Sequence, residues 1–191
     1  MAARTQVRAK TASPRLNPPV TERDHLQGAL SAPVTLAEYG DFQCPHCAAA
    51  HPSVQEVQDL LGDRLCFAYR HFPITTIHPD AARAAQAAEA AGAQGRFWEM
   101  HDLLFERQDD LSDGALLAYA NEIGLDEDRF ATELEQGVHA PRVREDFMSG
   151  IRSGVNGTPT FFINGERYEG SWDVESLSAA LLAADSDTPS H

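Results

Sequence analysis

Apolar and β-branched residues fill Val34-Thr35-Leu36-Ala37-Glu38-Tyr39, between Ala32-Pro33 and Gly40-Asp41, which predicts a buried strand. Immediately downstream the rhythm changes. Ala50, Val54, Val57 and Leu61 recur at helical spacing, so a helix is expected over Ala48 to Leu61, ending at Gly62-Asp63. Leu65-Cys66-Phe67-Ala68-Tyr69 reads as a second buried strand, and Asp24 to Pro33 as a lead-in to the first. From Pro79 to Phe147 the period is helical. Alanine pairs from Ala81-Ala82 to Ala90-Ala91 predict a closely packing helix stopped by Gly92 to Gly95. Phe97, Met100, His101, Leu104 and Phe105 form the apolar stripe of the next helix, with Trp98 at its flank. Ser112 to Ile123, with Ser112 as N-cap, then Asp126 to Glu135 and Ala140 to Arg152, continue the helical run. Strand character returns at Thr160 to Ile163. Asn164-Gly165 is a strong hairpin signal leading into Glu166-Arg167-Tyr168-Glu169, and Val174 to Ala184, with Asp173 near its start, closes as an amphipathic helix. The order places the chain in the α/β class, with a mixed central sheet flanked by helices.

At 191 residues, 42% hydrophobic and 23% charged, the chain is long enough for one sizeable core and short for two. A net charge of −14, from 29 acidic against 15 basic residues, argues against nucleic acid and anionic membrane as partners. No apolar run approaches the length of a membrane helix. Met1 to Val20 departs from this balance, carrying Arg4, Arg8, Lys10 and Arg15 with no acid, and Pro14, Pro18 and Pro19. Residues 1–23 are therefore expected to be a disordered basic N-terminal arm, 24–184 a single domain with a helical insertion over 79–150, and 185–191 a polar tail. The arm lacks the apolar h-region of a secretory signal, so a cytoplasmic location is the expectation.

The chemistry enters where strand gives way to helix, at Cys44-Pro45-His46-Cys47. A CxxC serves zinc sites, haem attachment and disulfide staples as well as dithiol exchange, so context decides. A cysteine at a helix N-terminus meets free N–H groups and the positive end of the macrodipole, which favour its thiolate. Cys44 is thus the candidate nucleophile and Cys47, one turn inward, the resolving thiol. Pro45 suits the first helical turn, and His46 is a candidate donor or positive charge beside the sulfur. Zinc needs about four ligands, and only Cys66 and scattered histidines such as His51 remain to supply them. His71, His78, His101 and His139 show no ligand spacing and read as satisfied or solvated side chains. Cys66 reads as a small core hydrophobe.

Four separated segments resemble the DsbA-like form of the thioredoxin fold, the bacterial thiol-disulfide oxidoreductases. They are Gly40-Asp41-Phe42-Gln43-Cys44-Pro45-His46-Cys47, Tyr69-Arg70-His71-Phe72-Pro73, Phe97-Trp98-Glu99-Met100-His101-Asp102 and Gly157-Thr158-Pro159-Thr160-Phe161, and the resemblance spans Asp24 to Ala184. It implies a thioredoxin fold with a helical insertion domain, a cis Pro159 facing the CxxC, and Thr158 as the residue whose backbone pairs with bound substrate. It also implies that Glu38 is a buried carboxylate that exchanges a proton with Cys47; simple strand alternation would instead turn Glu38 to solvent. Thr158 departs from the best-known oxidases of the family, which carry an apolar residue before this proline, and the departure leaves the direction of electron flow open. The expected activity is thiol-disulfide exchange with protein or peptide thiols and disulfides, supplied by a thioredoxin-like or glutathione redox partner and needing no bound cofactor. The alternatives are a glutathione-coupled reductase or isomerase, and a non-catalytic binding module whose CxxC is a zinc clip or staple.

Overall fold

The computed structural model describes residues 14–186. A five-stranded mixed sheet runs in the order β1-β3-β2-β4-β5, with β1 His25–Gln27, β2 Val34–Gly40, β3 Leu65–His71, β4 Thr160–Ile163 and β5 Glu166–Tyr168. Strands β2 and β3 pair in parallel, and the other pairings are antiparallel. Parallel neighbours need a crossover, and α1, Pro45–Leu61, supplies it. After β3 come α2 Ala81–Gly92, α3 Phe97–Glu106, α4 Asp113–Glu122, α5 Glu127–Glu135 and α6 Ala140–Arg152, and α7 Val174–Ser186 follows the hairpin. None of the described helices is long and apolar enough to cross a membrane.

Helices cover both faces of the sheet, so its two central strands read as continuous apolar runs rather than alternating ones. On one face Leu36, Phe67 and Tyr69 pack with Val54 and Val57 of α1, Met100 and Leu104 of α3, and Leu177 and Leu181 of α7. On the other, Tyr39, Phe72 and Phe162 pack with Leu16 and Val155, and Phe147 of α6 lies against them. α6 comes close to the sheet because Gly150 has no side chain. A Cβ there would sit 2.6 Å from the Phe72 ring and 3.2 Å from that of Tyr39. Gly150→Ala is accordingly expected to cost about 1–3 kcal/mol in urea unfolding, through displacement of packed aromatic rings rather than loss of helix propensity; an unchanged midpoint would contradict this packing.

Residues 14–23 correct the expectation of a disordered arm. Leu16 donates its N–H to Gly165 O, Asn17 N bonds the Ser153 hydroxyl, and Arg15 bridges Glu166. The buried Arg70 guanidinium forks onto Asp24 at 2.7 and 3.1 Å and also donates to the carbonyls of Pro18 and Pro19. Prolines that suggest disorder by composition here supply acceptors to a buried cation. Residues 1–13 of the predicted arm lie outside the described residues. At the other end α7 runs to Ser186, so the polar tail begins later than position 185, and residues 187–191 again lie outside the description.

Candidate functional site

Cys44 is the N-cap of α1, with extended backbone (φ −78°, ψ 119°), and Pro45 occupies the first turn, where a missing N–H costs nothing. Asp41 fixes the approach. Its carbonyl accepts from Cys44 N at 3.0 Å, and its carboxylate accepts from Gln43 N and Ile74 N, both at 2.8 Å, with His78 Nδ1 also at 2.8 Å. The turn carrying the cysteines is therefore tied to the loop after β3. Gln108, beyond α3, donates to the carbonyls of Phe42 and Cys44 at 2.7 and 2.9 Å and clamps the same turn from the insertion side.

Cys44, Cys47 and Cys66 are all thiols, and all are buried. The Thr158–Pro159 peptide bond is cis, and it brings Thr158 against the first cysteine, with Cys44 Sγ 3.4 Å from the Thr158 carbonyl oxygen. The Cys47 thiol donates to the Cys44 sulfur, the Thr158 hydroxyl favours its anion, and the backbone N–H groups of Cys47 and His46 add to this; against burial, together they bring Cys44 down to about 5. The Thr158 hydroxyl is buried beside it with no hydrogen-bond partner among the described residues. The His46 ring is exposed, and it is the backbone N–H of this residue that bears on the sulfur. Cys47 moves the other way. Burial first, then its hydrogen bond to Cys44 and the charge of Glu38, hold its thiol well above the ordinary range.

Glu38 is buried, 4% exposed, on the strand that leads to the cysteines. Strand alternation does not turn it outward, because helices cover both faces of β2. Burial, then the negative charge of Cys44, push its carboxyl up to about 8. Cys66 is fully buried in β3, and burial, then the charge of Asp24, raise its thiol. No group of three metal-binding side chains among the described residues includes Cys44 or Cys47.

The histidines divide. His71 Nε2 meets Glu89 at 2.9 Å, His78 meets Asp41, and His139 meets Glu133 at 2.7 Å. His101 is different: fold geometry brings it to His51 and Asp102, a grouping that sequence spacing does not show because two helices supply it. Burial lowers both imidazoles of that group, His101 to about 4. Gln108 and the carboxylate of Asp41 are site features whose roles the sequence pattern missed: Gln108 lies outside every motif, and Asp41, though within the segment that carries the cysteines, makes its contacts to Ile74 and His78 only in the fold.

The thioredoxin family model matches residues 20–183. The chain is 50% identical over 165 residues to the Na(+)/H(+) antiporter NhaA 1 of Salinispora arenicola (strain CNS-205), covering 85% of this chain and 25% of that protein. It thus spans about a quarter of the length of the curated relatives it matches. Among solved structures, oxidised BdbD from Bacillus subtilis superposes with a TM-score of 0.80 at 21% identity, covering 92% of this chain and 98% of that one. The thiol-disulfide exchange protein α-DsbA2 from Wolbachia pipientis superposes with a TM-score of 0.74 at 20% identity, covering 86% and 87%.

Proposed function

Because the chain belongs to the thioredoxin family, we propose that it exchanges disulfides with protein or peptide thiols through Cys44 and Cys47. One observation carries this reading: Cys44, the N-cap of α1 and 3.4 Å from the Thr158 carbonyl oxygen, stands one turn ahead of the fully buried Cys47, an arrangement that acidifies the first thiol to about 5 and holds the second well above the ordinary range. That asymmetry separates attack from resolution. The Cys44 thiolate attacks one sulfur of a substrate disulfide, forms the mixed disulfide and expels the other sulfur as a thiolate. In the mixed disulfide Cys44 no longer carries the charge that helps to hold the Glu38 proton, so the carboxyl ionises more readily; the Glu38 carboxylate then takes the Cys47 proton as Cys47 attacks Cys44 Sγ, and the new Cys44–Cys47 bond forms as the substrate sulfur leaves. The reverse sequence oxidises a substrate dithiol. Thr158, in contact with Cys44 through its carbonyl, and Pro159 form the wall against which a substrate strand lies.

Two further features support exchange over a staple or zinc clip. The site stabilises a thiolate at Cys44, and no group of three metal-binding side chains among the described residues includes either cysteine. The Wolbachia neighbour is itself named a thiol-disulfide exchange protein. The direct test is capture. Cys47→Ser is expected to accumulate a mixed disulfide between Cys44 and a peptide disulfide, seen by mass on non-reducing separation. Absence of any adduct at Cys44, or adducts at Cys66 instead, would sink the assignment.

A further inference from the structure

We propose a divalent transition-metal site, built for Zn²⁺ or a similar ion, from His51 of α1 and His101 and Asp102 of α3. One ligand atom from each of the three lies within 4.8 Å of the others. His51 Nε2 is 3.5 Å and His101 Nδ1 is 2.9 Å from the same oxygen, Asp102 Oδ1. Ligands about 2.0–2.1 Å from a tetrahedral ion stand about 3.4 Å apart; the 3.5 Å from His51 Nε2 to Asp102 Oδ1 has that spacing, while His101 Nδ1, at hydrogen-bond distance from the same oxygen, would move slightly apart to admit the ion. Two imidazoles and a carboxylate are the donor set of a zinc site that keeps a position open.

Burial supplies an independent sign. His51 Nε2 is buried and has no hydrogen-bond partner among the described residues, and the His101 ring is 2% exposed. A buried imidazole nitrogen left unpaired is costly unless something occupies it. The same three residues line a cavity of ≈ 390 Å³ whose other walls include Gln55, Gln58 and Asp59 of α1. It gives the ion a polar entrance and room for water in the fourth position.

The second histidine group in the fold shows the contrast. His25, His71 and Glu89 also come together, but Glu89 Oε1 accepts from both rings at 2.8 and 2.9 Å, and Arg142 Nε stands 3.9 Å away. A guanidinium already balances that carboxylate. Among the described residues no guanidinium or ammonium stands near Asp102 and His51 in this way; a buried ring nitrogen without a partner occurs in both groups, at His51 Nε2 and His101 Nε2 here and at His71 Nδ1 there, so it is the unbalanced carboxylate that sets this group apart.

Location gives the site a consequence. His51 follows Cys47 by four residues on the buried face of α1, so an ion bridging it to α3 ties the redox helix to the insertion. The test uses the Cys44–Cys47 disulfide form, in which the vicinal thiols are unavailable to metal. Co²⁺ titration is expected to give one equivalent of ligand-field bands without thiolate charge transfer, displaced by Zn²⁺. His51→Gln and Asp102→Asn are expected to weaken binding more than about 100-fold, while their metal-free unfolding midpoints show that the fold persists. Failure of the wild-type protein to saturate, binding unchanged in both variants, or bands with thiolate character would each overturn the site. A Zn²⁺-dependent rise in melting temperature, present in wild type and lost in both variants, is the supporting result.

Discussion

Cys44→Ser is expected to lower disulfide exchange at least about 10³-fold, to the uncatalysed level, because a hydroxyl is not ionised at neutral pH and cannot form the mixed disulfide. Cys66→Ala, at a fully buried position in β3, serves as the control and is expected to leave exchange intact. The wild-type profile carries the sharper information. With Cys44 at about 5, its alkylation rate should rise about tenfold between pH 4 and pH 7 and then level off. An ordinary thiol would instead gain about tenfold per pH unit up to its pKa near 8.5. Stabilising the thiolate stabilises the dithiol, so the disulfide becomes the better oxidant. Thioredoxin, with a thiol near 7, has a potential of about −270 mV, and DsbA, near 3.5, about −120 mV; interpolation places this pair at roughly −180 mV. Equilibration in glutathione buffers measures it. A value near −270 mV, together with a steadily climbing alkylation profile, would remove the acidified-thiol basis of the mechanism.

Much of this site was legible because its parts are local. Strand, CxxC and helix follow one another without interruption, and the period changes from buried run to helical stripe at the cysteines. Thr160–Ile163 and Ala140–Arg152 have the predicted limits, and Ser112 caps its helix by accepting from Ala115 N. The first helix begins at Pro45 with Cys44 as its N-cap, as the placing of Cys44 at a helix N-terminus and Pro45 in the first turn expects, three residues ahead of Ala48, where the periodic stretch begins. β1 was not legible: His25–Gln27 is three half-buried residues of weak strand propensity, held by pairing to β3. Long-range polar contacts were equally hidden. Arg70 finds its acceptors on Pro18, Pro19 and Asp24, Gln108 reaches back to Cys44, and His51 meets His101, all from distant segments that only the packed sheet and helices bring together. The orientation of Glu38 stayed open for a related reason, since whether alternation exposes a side chain depends on what covers each face.

Glu38→Gln is expected to stabilise the oxidised protein at pH 7 by up to about 3 kcal/mol while slowing resolution by Cys47 about 10²-fold. The sign follows from proton binding. The carboxyl stands at about 8 in the fold against 4.5 for the free group, with burial the leading cause. Between those values the folded state holds a proton that the unfolded chain releases. Stability from this group is therefore fully present below pH 4.5 and is lost as the pH rises through 8. Cys44 acts oppositely in the dithiol form: its folded value of about 5 lies below the ordinary thiol range, so its contribution grows as the pH rises. The two slopes offset one another in reduced protein. Once the disulfide forms, Cys44 neither titrates nor adds its charge to the Glu38 shift, and the Glu38 slope stands alone, carried by burial, its leading cause. Urea unfolding of oxidised wild type should accordingly weaken from pH 5 to pH 8, whereas the glutamine variant should hold nearly level. The kinetic half of the prediction uses the same carboxyl. Cys47 is held well above the ordinary thiol range by burial and by its hydrogen bond to Cys44, so it needs a base within the buried site before it can attack. With glutamine there, the mixed disulfide should persist, visible by acid quench and mass. Parallel pH curves for the two proteins, together with an unchanged resolution rate, would show that Glu38 neither titrates in this window nor handles the Cys47 proton.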